Sequence, residues 1–171
     1  MPAESVSQAE FNAIRVRVDS SLTVDLLAQR LRVQLGRADL VELGVLARKA
    51  ASEEEYAREV ERRFVGESGF MLFAEFDHGA WLSRFGVRRQ VLRWILGNPL
   101  IAITMLRHDV TAGLFAPVEI LLTDRQPLEG SSVTYLKPST LMGSHPDVLK
   151  AARALDQKLE SFITRGASAD A

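Results

Sequence analysis

Apolar and polar residues alternate first at Ile14, Val16 and Val18, with Arg15 and Arg17 between them. A period of two predicts a half-exposed strand over residues 11–18. The period then lengthens. Val24, Leu27, Leu31 and Leu35 recur at helical spacing, with Ser20 or Ser21 ahead of them as a cap and Gly36 as a stop. Over residues 39–50 a weaker stripe of Leu40, Leu43 and Ala47 is interrupted by Gly44. Ser52 and Glu55 have capping-box spacing, and Tyr56, Val60 and Phe64 behind them share one helical face. Gly66 and Gly69 end that helix.

Residues 70–76 form a short aromatic run that predicts a buried strand. Asp77 caps a short helix through Trp81 and Leu82 that ends near Gly86. Further apolar strands are predicted at 90–96, 117–122 and 132–136. The last two are joined by a hairpin loop over 124–131 that contains Pro127 and Gly130. The clearest helix covers 146–164, where Val148, Ala152, Leu155, Leu159 and Phe162 recur at steps of four and three. These strands are too many for a repeated βαβ order, and helices flank them at both ends. The expected class is α+β, a largely antiparallel sheet with helices packed on one face. One domain over residues 11–165 is expected, with flexible ends at 1–10 and 166–171.

Composition narrows the chemistry. The 171 residues carry 21 basic and 22 acidic side chains and no cysteine. Near-neutrality argues against a nucleic-acid binder, which gains affinity by neutralising phosphates. Without cysteine there is no disulfide, thiolate nucleophile or thiolate metal site. No signal sequence or membrane-length apolar run is present, so a soluble cytoplasmic protein is expected. Arginine far outnumbers lysine and alanine is abundant, a usage that suggests a bacterial source.

The informative centre of the chain is Asp77-His78, then Gly97-Asn98-Pro99, then a strand opened by Pro117 after a loop containing Gly113. Asn98 caps, and Pro99 sits at the first helical position, where its missing N–H costs nothing. The helix behind it is apolar nearly all round, from Leu100 to Leu106, so it needs cover on several sides. A second subunit is one source of that cover. In this order, and with the Pro138 to Met142 segment after the last strand, the chain resembles the domain-of-unknown-function family 302. The likeness runs from Ile14 to Ile163 and is firmest from Ser68 to Met142. It implies a small α+β fold arranged like the TATA-binding protein, and a homodimer. It implies no activity.

Candidate chemistry falls on histidine and carboxylates. His78 is a candidate acid–base, with Asp77 or Glu119 to orient it. Asn98 and Gly97 stand at a helix N-terminus, where an anion or carbonyl would be received. Arg93, Glu119 and Glu75 are charged positions inside otherwise apolar strands, and a charge there either faces water or is paired. Together they suggest a ligand-binding set of Asn98, Gly97, Arg93 and Glu75. Arg84, Arg88, Arg89 and Arg93 cluster around the Gly86 turn. His108 and His145 are far from His78 in sequence, and no metal-binding motif is present, so no metal ligands are assigned and no cofactor is named. The first reading is a homodimer that binds a small molecule or anion in a polar pocket between the sheet and the Pro99 helix. The alternatives are a cofactor-independent enzyme acting through His78, and a structural dimerisation module built on the Leu100–Leu106 helix.

Overall fold

The computed structural model describes residues 5–168. The outermost parts of the two expected flexible ends, 1–4 and 169–171, lie outside the described residues. The elements run β1 (Arg15–Ser20), α1 (Val24–Arg32), β2 (Gly36–Arg37), α2 (Leu40–Lys49), α3 (Glu53–Phe64), β3 (Met71–Asp77), α4 (His78–Leu82), β4 (Val91–Gly97), α5 (Pro99–Leu106), β5 (Val118–Asp124), β6 (Ser131–Leu136) and α6 (Pro146–Ala167). The sheet order is β1-β6-β5-β4-β3-β2. Every pairing is antiparallel except that of β2 with β3. This is the expected α+β class.

Strand parity sets what is buried. Trp94, Leu96, Ile120, Leu122, Val133 and Tyr135 point to the side where α1 and α6 lie, and all are buried there with Leu27, Leu31, Leu159 and Phe162. The alternate positions, Arg93, Ile95, Glu119, Leu121 and Thr134, are exposed or only half-buried. A smaller cluster of Leu43, Leu46, Val60, Phe64 and Met71 holds the α2–α3 pair to the far end of β3. Among the described residues no helix is long and apolar enough to cross a membrane.

Several boundaries differ from the sequence reading for local reasons. Strand β1 begins at Arg15, and Phe11 ahead of it packs edge-on against Phe115, with ring centroids 6.0 Å apart. The cap of α1 is Thr23, whose hydroxyl accepts from the Leu26 amide. Ser20 ends β1 instead: its hydroxyl donates to the Ala167 carbonyl at 2.6 Å and accepts from the Leu22 amide at 3.2 Å, ahead of the helix. Gly36 is more than a stop: it opens the two-residue strand β2. Helix α6 runs to Ala167, three residues past the predicted end at 164, and Gly166 and Ala167 are buried.

Helix α5 is partly covered by its own chain, with Met105 its one buried residue. Met105 belongs to the main core, half-buried Ile101 and Leu106 pack against it, and Leu100 packs on the α2–α3 cluster. Ile103 faces outward.

Candidate functional site

Strand β4 ends at Gly97 because the chain there passes against Pro117. A Cβ at Gly97 would stand 3.1 Å from the Pro117 Cβ and 3.4 Å from the Phe73 ring. Asn98 then caps α5: its Oδ1 accepts from the Leu100 amide at 2.8 Å, and its Nδ2 donates to the Gly69 carbonyl at 3.0 Å. Both ends of the side chain are thus engaged in the fold. Beside this junction, α2 and α5 stand apart over a hollow of about 360 Å³. Its lining includes Leu43, Tyr56, Phe73, Ile101, Met105 and Pro117, together with Asn98. The lining is almost wholly apolar, with the Tyr56 phenol as its one side-chain hydroxyl.

Arg93 and Glu119 lie elsewhere. Both project from the outer face of the sheet, where Arg93 donates from Nε and Nη2 to Glu119 Oε2 at 3.0 and 2.5 Å. The pair is diagonal across β4 and β5, since Arg93 stands opposite Leu121 and Glu119 opposite Ile95. With Arg15, Thr134, Leu136 and Pro117 it borders a second hollow of about 420 Å³ on that face. Both side chains are substantially exposed, so the pair contributes at most about 1 kcal/mol.

Glu75 faces the other way. It stands opposite Trp94 in the register, on the helix-covered side. There Arg32 donates from Nη2 to both Glu75 oxygens at 2.9 and 2.8 Å and lies over the Trp94 ring, 5.0 Å from its centre.

Asp77 caps α4, accepting from the Ala80 amide at 3.0 Å. His78 Nδ1 accepts from the Trp81 indole N–H at 3.2 Å. Its ring is stacked against Phe76, the first step of an aromatic row that continues through Trp81 to Phe85. Among the described residues no carboxylate hydrogen-bonds His78. Asp77 is occupied as a cap and Glu119 is held by Arg93. The orienting carboxylate expected for a His78 acid–base is therefore not in place.

The predicted polar set thus divides among four places, and Asn98, Arg93, Glu119 and His78 do not form one pocket. The arginine cluster divides as well. Arg89 bonds the Asp124 carboxylate at 2.8 Å, Arg93 bonds Glu119, and Arg84 and Arg88 have no ion-pair partner among the described residues.

Sequence spacing missed one grouping. His108, just past α5, meets His145 and Asp147 at the start of α6, and one ligating atom from each lies within 4.8 Å of the others. The imidazoles are stacked with centroids 5.6 Å apart. His108 Nδ1 is 4.0 Å from Asp147 Oδ2. Next to them, the hydroxyl and amide of Thr111 hold the Asp109 carboxyl below its usual range, with a smaller contribution from His145. Nothing in the spacing announces this group, because the packing of α5 on α6 creates it.

Comparison with known proteins agrees with the fold. No curated protein matches the chain. The structure is similar to the crystal structure of an uncharacterized conserved protein DUF302 from Bacillus stearothermophilus, with a TM-score of 0.63 and 17% identity. The superposition covers 88% of this chain and 96% of that one. Residues 45–166 match the family model described as a domain of unknown function, DUF302. That span runs from the middle of α2 to the last turn of α6, and the chain belongs to the DUF302 family.

Proposed function

We propose that the protein is a homodimer in which each copy binds a small, largely apolar molecule in the hollow between α2 and α5. The observation that carries this reading is the hollow itself. Its volume of about 360 Å³ falls in the usual ligand-pocket range of ~300–1,000 Å³. Its apolar wall rewards burial of an apolar surface, and Tyr56 is the one lining residue with a hydroxyl to offer. An anion is a poorer fit, because Asn98 spends both polar ends on the fold and the lining holds no cation.

A panel of neutral aromatic and aliphatic compounds, screened by thermal shift, tests this. A ligand present at a hundred times its Kd is expected to stabilise the chain by about 2.7 kcal/mol. Ala102→Phe, which places a ring in the hollow, is expected to abolish that shift without lowering the Tm of the free protein. If no compound raises the Tm, or if Ala102→Phe responds as the wild type does, the pocket reading fails.

The dimer reading rests on the sheet's outer face. Ile95, Leu121 and the exposed Phe76 and Leu136 lie there around the Arg93–Glu119 pair. One positive and one negative group on the same patch are self-complementary across a two-fold axis. Light scattering is expected to give twice the 18.9 kDa chain mass for the wild type. Leu121→Arg, which places an unpaired charge in that patch, is expected to give the single-chain mass. A wild-type monomer would refute the dimer.

A further inference from the structure

We infer that His108, His145 and Asp147 bind a divalent transition-metal ion of the zinc, cobalt or nickel class. Two imidazoles and one carboxylate converge from two separate elements, with a ligating atom of each within 4.8 Å of the others. Nitrogen ligands select this class of ion over magnesium and calcium, which take oxygen. Two histidines and a carboxylate hold one side of an ion and leave the remaining positions to water.

The framework beneath the three residues is firm. Met105 on α5 and Val148 and Leu155 on α6 are buried in the same core, which fixes the two helix ends against each other. His108 follows the C-terminal turn of α5, where its amide donates to the Met105 carbonyl. The carbonyl end of a helix carries partial negative charge and favours a cation. His145 Nδ1 accepts from the Asp147 amide at 3.3 Å, a long bond and a weak competitor for the imidazole lone pair. His108 and Asp147 also border a groove of about 460 Å³ between α5 and α6, so the open side of the ion would face accessible space. The opposing charge in that groove is Lys150 and Lys158, which line it further along.

Titration of the full chain with Co²⁺, followed by visible absorption and reversed by Zn²⁺, tests the site. Wild type is expected to saturate at one equivalent per chain. His108→Gln and Asp147→Asn are each expected to weaken binding by at least about tenfold, the lower end of what even an outer-shell loss costs. His145→Asn removes an imidazole while leaving a side chain that caps α6, so its equal loss would not reflect damage to the helix. His78→Gln is expected to bind as the wild type does. The inference is overturned if wild type shows no saturable one-equivalent band, or if His78→Gln loses as much as His108→Gln. Far-ultraviolet circular dichroism confirms that each variant is folded, and the three substituted positions of the site are exposed.

Discussion

Gly36→Ala is expected to cost at least about 3 kcal/mol and to leave much of the chain unfolded at moderate urea, since overpacking against backbone has nowhere to relax. A Cβ at Gly36 would lie 1.7 Å from the Phe64 carbonyl oxygen and 2.7 Å from the Gly66 amide nitrogen. The obstruction is mutual: a Cβ at Gly66 would lie 2.3 Å from the Gly36 nitrogen. Backbone passes against backbone here, and the Phe70 carbonyl accepts from both glycine amides, at 2.9 and 3.0 Å. The crossing ties the end of α1 to the loop between α3 and β3, so moving it would disturb β2 and the seat of α3 together. The cause is steric. Gly86 provides the contrast, with φ +78 and no atom within 4 Å of an added Cβ. Gly86→Ala is expected to lose only ~1–2 kcal/mol, the cost of left-handed backbone. Equilibrium urea unfolding measures both. A Gly36→Ala variant within 1 kcal/mol of the wild type would show that the crossing can open.

Most helix starts were legible because a cap and the stripe behind it are written within a few residues. Ser52, Asp77 and Asn98 all accept the amide bonds their positions predict. The last helix follows its stripe from Val148 to Phe162, all of it buried. What was not legible depends on register between strands. The expected set of Glu75, Arg93 and Glu119 assumes that the three share a face. A bulge between Leu72 and Ala74 breaks that parity. With Leu72 opposite Leu96, a regular ladder would bring Glu75 opposite Arg93; one extra residue places it opposite Trp94 instead. Glu75 therefore meets Arg32 on the helix side, and Arg93 is left to Glu119. The His108, His145 and Asp147 cluster was hidden for a related reason. It exists only once α5 lies on α6, and neither helix's own pattern specifies the neighbour.

Trp94→Ala is expected to cost ~3–5 kcal/mol, the range for deleting a large aromatic side chain from a packed core. Trp94 is fully buried at the centre of β4, between β3 and β5. It is also the surface over which Arg32 reaches Glu75. Its removal would open a cavity and take away the ring face that attracts the guanidinium, a contact worth ~0.5–1 kcal/mol at an exposed site. Trp94→Phe separates the two effects. Among the described residues the buried Trp94 Nε1 has no hydrogen-bond partner, so exchanging indole for phenyl sacrifices no polar interaction there and relieves an unsatisfied donor. That gain opposes the smaller volume lost, and Trp94→Phe is expected to stay within about 1.5 kcal/mol of the wild type. The chain has two tryptophans, and Trp81 is exposed. Emission from Trp94→Phe is therefore expected to shift to the red, toward that of an indole in water, while the unfolding midpoint hardly moves. A Trp94→Phe variant as unstable as Trp94→Ala would mean that the indole N–H has a partner in solution, and that its burial is not the uncompensated cost the geometry indicates.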